Sequence, residues 1–139
     1  MNLYFDASAL AKFVITEAES KALRDYLAQS QAPCLTSRIA VTEVGIATAR
    51  RFGAVAPHVD ASHPGELRLP KFTAQTLPVK GIVLDAAVGL GAAHRLRTLD
   101  AIHVATAQAL GASLEKIITY DARMITACRA LGLPVVSPT

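Results

Sequence analysis

Short apolar runs alternate with longer periodic segments along the chain. The runs at 2–5 and 116–120 are rich in branched or aromatic side chains and predict buried strands. The segments between such runs carry apolar residues three or four positions apart, which predicts helices packed on one face. Weaker strands are predicted around Cys34, over 77–84 and over 134–138. Helices are predicted in two pieces over 7–30 (the second from about 18 to 28), and over 38–53, 85–96, 98–111 and 121–133.

The order of these elements indicates the fold class. Strands that alternate with helices are typical of an α/β sandwich with a mainly parallel central sheet. A chain of 139 residues is expected to form a single domain over 1–139. The segment 54–72 has three prolines and no periodicity, so it is predicted to be a loop. Asp85 is predicted to cap the helix that it begins.

The composition is that of a globular protein with a large core, because 52% of the residues are hydrophobic and 18% are charged. No apolar stretch approaches the ~20 residues of a membrane span, and the N-terminus lacks the basic region of a signal peptide. We therefore expect a cytoplasmic protein with no membrane association, whose two cysteines stay reduced. The net charge of +3 suits a polyanionic partner, although many proteins without one are equally basic.

Two aspartates follow predicted strands directly. Asp6 comes after the strand at 2–5, Asp121 comes after the strand at 116–120, and each precedes a helix. Either residue could cap its helix, which is a common role of aspartate. In open parallel sheets, however, ligands bind at the carboxyl ends of strands, so two aspartates at neighbouring strand ends would converge there. Both interpretations remain open from the sequence.

Glu43 and Asp100 lie on helices that are otherwise largely apolar. At helical spacing Glu43 falls in the middle of the side expected to be buried. The other members of that side are Ile39, Ala40, Val44 and Ala47. A buried carboxylate requires compensation, either by a metal ion or by a salt bridge to Arg38, Arg50 or a more distant arginine. Asp100 begins its helix, so it is either a cap or a ligand.

Four carboxylates gathered at one site would repel one another and raise one another's pKa, and a divalent cation removes that conflict. Ligands that are all carboxylate oxygens, without cysteine or histidine at metal spacing, favour Mg²⁺ or Mn²⁺. Such an ion activates water and stabilises charge on a phosphoryl oxygen. The residues therefore predict a carboxylate-rich metal site on an α/β fold, without identifying its substrate.

The stretches that contain these carboxylates resemble a known family, the PIN-domain ribonucleases, and in detail the VapC toxins of bacterial type II toxin–antitoxin pairs. The four stretches are LYFDASALAKF, SRIAVTEVGIATARR, HRLRTLDAIHVATAQALG and IITYDARMITACRALGLPVVSP. They follow the family's order and spacing over nearly the whole chain, and the third is the most specific. Ala7 stands where many relatives have serine or threonine, and the segment 54–71 has no clear match.

The resemblance implies a PIN-like three-layer α/β/α sandwich that hydrolyses RNA at a phosphodiester bond. The implied catalytic residues and ligands of Mg²⁺ or Mn²⁺ are Asp6, Glu43, Asp100 and Asp121, with Asp6 and Asp100 as the core ligands. Ser8 and Thr119 would support this cluster through hydrogen bonds or waters. The family also implies a cognate VapB-type antitoxin that enters the active-site groove, and a homodimer.

Basic and histidine side chains near the motifs have competing interpretations. Arg97 and Arg38 are candidates for RNA contact, but they could equally be solvated or pair with the carboxylates. His103 lies one turn after Asp100, where a buried, hydrogen-bonded histidine is expected rather than a general base.

Two other functions were weighed against a ribonuclease. A receiver or phosphatase domain is disfavoured, because no lysine follows the strand that ends before Asp121. A non-catalytic RNA-binding or regulatory module of the same fold would be expected to lack one or more of the four carboxylates.

Overall fold

The computed structural model describes residues 1–54 and 60–139. The described strands are β1 (Asn2–Phe5), β2 (Cys34–Ser37), β3 (Glu66–Leu69), β4 (Phe72–Leu77), β5 (Leu114–Ile118) and β6 (Val135–Val136). The described helices are α1 (Ala7–Ala11), α2 (Ser20–Ser30), α3 (Arg38–Phe52), α4 (Gly81–His94), α5 (Thr98–Ala109) and α6 (Ala122–Ala130). The strands form one sheet in the order β3-β4-β2-β1-β5-β6, and all neighbours are parallel except β3 and β4.

Helices cover both faces of this sheet, which confirms the predicted α/β sandwich. Leu3 and Phe5 of β1 pack against residues of α1, α2 and α3. Tyr4, between them, faces the opposite side and packs against residues of α4, α5 and α6. All three side chains are fully buried. β1 is therefore hydrophobic from Leu3 to Phe5, because both of its faces lie in the core there.

The position of β1 determines where a ligand site can form. β1 pairs with β2 on one side and with β5 on the other, both in parallel. The chain thus forms β2 on one side of β1 and later forms β5 on the other side. Such a switch in strand order opens a crevice at the carboxyl ends of the strands. Asp6 follows β1, and Thr119 follows β5, at that same edge.

The loop predicted over 54–72 agrees with the irregular backbone at 61–65 but is wrong from Glu66 onward. Asp60 forms an isolated bridge with Arg68, and β3 and β4 form an antiparallel hairpin at the edge of the sheet. The buried residues of the hairpin alternate with polar ones, and they are Leu67, Leu69, Phe72 and Ala74. This period of two is short and is interrupted by Pro70, which is why the segment resembled a loop. Residues 55–59 of the predicted loop lie outside the described residues.

The strand predicted over 77–84 is also wrong, since Leu77 ends β4 and α4 begins at Gly81. Lys80, not Asp85, is the N-cap residue, and Asp85 is exposed within the helix. The branched residues at 82–84 fit a helix here because α4 packs closely on α5.

Smaller differences concern helix bounds and faces. α2 begins two residues later than predicted, at Ser20. Ser37 caps α3, since its hydroxyl accepts a hydrogen bond from the backbone N–H of Ile39 at 3.2 Å. Ala47, predicted to be buried, is exposed, and Thr48 is buried in its place. Both cysteines are free thiols. Within the described ranges, no helix combines the length and the apolar character needed to cross a membrane.

Candidate active site

Asp6 is the most enclosed of the four carboxylates and is only 4% exposed. It caps α1, because its Oδ1 accepts a hydrogen bond from the backbone N–H of Ala9 at 3.0 Å. The hydroxyl of Ser8 donates to the same oxygen at 2.7 Å, and the hydroxyl of Thr119 donates to Oδ2 at 2.6 Å. The carboxylate therefore does more than cap a helix, since it also ties β1 to the end of β5.

Ser8 and Thr119 join the two neighbouring strand ends. The Thr119 hydroxyl oxygen accepts a hydrogen bond from the backbone N–H of Asp121 at 3.1 Å. The Ser8 hydroxyl oxygen accepts one from the backbone N–H of Tyr120 at 3.0 Å. Asp121 itself caps α6 through its Oδ1. Asp6 and Asp121 therefore cap their helices and are also linked to each other through Thr119. Helix capping and convergence at the strand ends, the two interpretations that the sequence left open, both apply.

Arg97 lies between Asp100 and Asp121. Its Nε is 3.4 Å from Oδ2 of Asp100, and its Nη2 is 3.7 Å from Oδ2 of Asp121. The Arg97 side chain is 70% exposed, whereas the carboxylates are 15% and 23% exposed. The guanidinium supplies positive charge between two neighbouring negative groups. Because it is largely solvated, it can leave them at little energetic cost.

Glu43 finds its partner in His103, with Oε1 and Nε2 2.6 Å apart. Neither Arg38 nor Arg50 forms an ion pair with it among the described residues. His103 is 1% exposed, and its Nδ1 lies 2.7 Å from the hydroxyl of Tyr4, which confirms the expected buried, hydrogen-bonded histidine. Sequence reasoning missed the pair because the two residues are 60 positions apart. The available signal was that each polar side chain lies on an apolar helix face.

Burial raises the pKa values of two of the four carboxyls. Burial raises the pKa of Asp6, although hydrogen bonds from Thr119 and Ser8 act against this shift. Burial also raises the pKa of Asp100, and the negative charge of Asp121 adds to the rise, which Arg97 offsets only in part. Added positive charge would therefore stabilise the ionised form of both carboxyls.

The carboxylate side chains provide the oxygen donors that a hard divalent cation prefers, but they do not form a complete coordination site by themselves. Across the described part of the chain, no three His, Cys, Asp or Glu side chains form a group that could hold a metal ion by themselves. Mg²⁺ does not need such a group, because it keeps several waters and often takes one or two protein carboxylates. Asp6, Asp100 and Asp121 offer oxygen donors whose charges a cation would offset. The donor set therefore fits Mg²⁺ or Mn²⁺.

Two clefts border these residues. One, of about 470 Å³, is lined by Glu43, Arg97, Thr98, Leu99 and Asp100, so Glu43 and Asp100 share a solvent-accessible space. The other, of about 480 Å³, lies at the start of α6, directly after Asp121, and is lined by His94, Arg95, Ala122, Arg123 and Thr126. Arg38 is exposed in the first turn of α3, and no ion pair of Arg38 occurs between described residues.

Comparison with known proteins identifies the fold. The model of the PIN domain family matches residues 3–130. Ribonuclease VapC46 of Mycobacterium tuberculosis (strain ATCC 25618 / H37Rv) is 41% identical over 143 residues, covering 99% of this chain and 98% of that protein. The crystal structure of Mycobacterium tuberculosis VapC20, a sarcin–ricin loop cleaving toxin, aligns with a TM-score of 0.68 and 18% identity over 98% of this chain and 99% of that chain. A toxin–antitoxin complex from Klebsiella pneumoniae aligns with a TM-score of 0.64 and 20% identity over 99% of this chain and 98% of that chain.

The parallel sheet with acidic residues at its central strand ends is thus a PIN domain fold, shared with the solved structures. Since the relative at 41% identity extends over almost the full length, the chain belongs to the VapC ribonucleases of the PIN-domain family. This confirms the resemblance that the four sequence motifs carry.

Proposed function

We propose that this chain is a metal-dependent endoribonuclease that hydrolyses RNA phosphodiester bonds in the cytoplasm as the toxin of a toxin–antitoxin pair. The observation that carries the proposal is the group of carboxylates at the carboxyl edge of the sheet. Asp100 and Asp121 share Arg97, and Asp121 is linked through Thr119 to the buried Asp6. A relative named a ribonuclease, matched over its full length, supports RNA as the substrate class.

Asp6 and Asp100 are the proposed core ligands of Mg²⁺ or Mn²⁺, and Glu43 and Asp121 complete the acidic set. When bound, such an ion would lower the pKa of a water and stabilise negative charge on phosphoryl oxygens. The protein's part is to present these carboxylates ionised and in fixed orientations. Because burial raises the pKa of Asp6 and Asp100, a bound cation would favour the ionised form of both carboxyls.

Ser8 and Thr119 support this arrangement by donating hydrogen bonds to Asp6, which favours its ionised form. RNA is held by basic side chains around the two clefts. Arg97 is the first candidate, because its largely exposed guanidinium reaches both acidic side chains and can turn to a phosphate instead. Arg38 remains a further candidate, and the basic cleft beside α6 offers Arg95 and Arg123 as additional phosphate contacts.

The direct test is cleavage of total cellular RNA by the purified protein with and without metal. We expect defined fragments with Mg²⁺ or Mn²⁺, no fragments in EDTA, and recovery when excess Mn²⁺ is added back. Circular dichroism in EDTA controls for loss of fold. Undiminished cleavage in EDTA would contradict metal dependence. Absence of both cleavage and Mn²⁺ binding would favour the alternative, a non-catalytic RNA-binding or regulatory module on the PIN fold.

A cognate VapB-type antitoxin is the proposed inhibitor, supported by the structural likeness to a toxin–antitoxin complex.

A homodimer is the proposed assembly, because α4 exposes large apolar side chains. Ile82 is 77% exposed, Val88 74% and Leu84 43%. Burying such a patch on association is favourable. Light scattering should give twice the 14.6 kDa mass of the chain, and Val88→Glu should shift it toward the monomer. A wild-type mass near that of one chain would contradict the dimer.

A further inference from the structure

A buried chain of hydrogen bonds runs from the central strand to one of the candidate carboxylates. The hydroxyl of Tyr4, on β1, lies 2.7 Å from Nδ1 of His103, on α5. The opposite ring nitrogen, Nε2, lies 2.6 Å from Oε1 of Glu43, on α3. Tyr4 and His103 are buried, whereas Glu43 lines the cleft beside Asp100. These hydrogen bonds therefore connect the core to the candidate site.

Tyr4 and Glu43, on the two sides of the His103 ring, determine which ring nitrogen carries the proton. An ionised Glu43 can only accept a hydrogen bond, so the 2.6 Å contact requires a proton on Nε2. In the neutral ring Nδ1 is then an acceptor. Burial and the charge of Asp6 raise the pKa of the Tyr4 hydroxyl, which keeps it protonated and able to donate to Nδ1. Tyr4 therefore favours the tautomer that donates to Glu43.

His103 has no free position from which to act on a substrate. Both of its ring nitrogens are engaged, and the side chain is 1% exposed. A general base must reach the proton that it removes, directly or through one water. The ring can therefore influence the reaction only through Glu43.

We propose that His103 is a positioning residue that holds Glu43 in place, with Tyr4 setting its tautomer; this inference rests on the proposed function, in which Glu43 belongs to the metal site. A glutamate has three rotatable side-chain bonds and samples several rotamers when free. A charge-assisted hydrogen bond from a rigid, buried ring restricts the carboxylate to one orientation. Support of this kind for a metal-binding group typically changes metal affinity or activity by about 10–100-fold.

Two substitutions at one position separate positioning from packing. The amide of His103→Gln extends to about the place of Nε2 and can still donate to Glu43, but it loses the contact with Tyr4. The amide of His103→Asn lies near the place of Nδ1 and can still accept from Tyr4, but it cannot reach Glu43. Each variant loses one hydrogen bond and leaves a cavity, so both should lower the thermal unfolding midpoint similarly.

The variants should differ in metal binding and in turnover. We expect His103→Asn to weaken Mn²⁺ binding, measured on the metal-free protein by electron paramagnetic resonance, by about tenfold or more. It should lower kcat for RNA cleavage to a similar extent while leaving KM within about twofold, because the RNA contacts are unchanged. His103→Gln should stay within about threefold of wild type in both measurements. A readout without metal comes from ¹⁵N NMR, which should show a proton on Nε2 in wild type and a partial shift of the proton to Nδ1 in Tyr4→Phe.

The proposal would be overturned by equal losses of Mn²⁺ affinity in the Gln and Asn variants, since His103 would then serve packing alone. Wild-type behaviour of both variants, or an unprotonated Nε2 in the wild-type spectrum, would overturn it too. Failure of the proposed function looks different. In that case the wild-type protein itself neither cleaves RNA nor binds Mn²⁺, and the positioning proposal falls with it even if the NMR tautomer is as expected.

Discussion

Replacing Asp100 by asparagine is expected to lower the rate of RNA cleavage by at least about a hundredfold. A metal ligand contributes several kcal/mol to stabilising the charges that develop in the reaction, and each ~1.36 kcal/mol is a tenfold change in rate. Asparagine keeps the size of the side chain but loses the negative charge that attracts a cation. The rate is measured on total RNA at a fixed Mn²⁺ concentration. Asp85→Asn is the matched control, since Asp85 is an exposed aspartate on α4 outside the candidate site, and it should cleave like wild type. Equal rates of RNA cleavage for Asp100→Asn and Asp85→Asn would show that Asp100 does not belong to the active site.

The same substitution is expected to make the metal-free protein more stable at neutral pH. Because the pKa of Asp100 is raised in the folded protein, folding favours the protonated carboxyl. That contribution is present below the ordinary aspartate pKa and is lost as the pH rises through the raised value. At pH 7 the ionised carboxylate beside Asp121 therefore opposes folding.

Urea unfolding in EDTA should show Asp100→Asn more stable than wild type by up to about 1 kcal/mol at pH 7. The difference should shrink as the pH falls through the raised pKa of Asp100, and it should be absent below the ordinary aspartate pKa of about 4. A less stable variant at pH 7 would mean that the ion pair with Arg97 outweighs the burial of the carboxylate and its repulsion by Asp121. Gain of stability together with loss of activity would mark Asp100 as a residue kept for function.

The second large effect is expected from Thr119→Val, which keeps the shape of the side chain and removes its hydroxyl. Asp6 then loses the donor to its Oδ2, and the backbone N–H of Asp121 loses its acceptor. Polar groups left without partners in a buried place cost about 1–3 kcal/mol each. We expect the free energy of unfolding to fall by about 2–3 kcal/mol and cleavage to fall by about tenfold or more, because the pKa of Asp6 would rise further.

Thr119→Ser is the control for this effect, since it keeps the hydroxyl and loses only a methyl group. It should retain most of the wild-type activity and cost about 1 kcal/mol of stability. Urea unfolding and the RNA cleavage assay measure both variants. If Val and Ser behave alike, the hydroxyl has no special role and the link between the two strand ends is not needed for the site.

The sequence predicted the parts of the fold whose patterns are local and complete. β1 and α5 were predicted because the first contains a continuous apolar run and the second is a full helical repeat, whereas β5 begins two residues before the predicted strand at 116–120 because Glu115 and Lys116 interrupt its apolar pattern. The hairpin of β3 and β4 was missed because its alternation is short and crosses Pro70. The start of α4 was mistaken for a strand because a branched apolar run fits either structure, and only the packing of α4 on α5 decides between them.

The candidate site shows the same division. Asp6 and Asp121 could be placed from the strands that precede them, and Ser8 and Thr119 lie close by in the chain. The partner of Glu43 could not be deduced, because His103 lies on another helix and the contact depends on how α3 and α5 flank the sheet. The sequence leaves open whether Arg97 contacts phosphate, is solvated or pairs with the carboxylates, because its ion pair with Asp121 depends on the folded arrangement of two distant segments.

The link between Asp6 and Thr119 also bears on the synthesis of the protein. These residues are separated by 113 positions, and β1 has β5, near the other end of the 139 residues, as one of its two sheet neighbours. An N-terminal fragment that ends before β5 leaves one edge of β1 unpaired and Asp6 without its donor. Contacts of such long range form late, because the closure of a long loop must precede them. A growing chain on the ribosome therefore lacks the hydrogen bond between Thr119 and Asp6, and one neighbour of β1, until β5 and Thr119 have been translated.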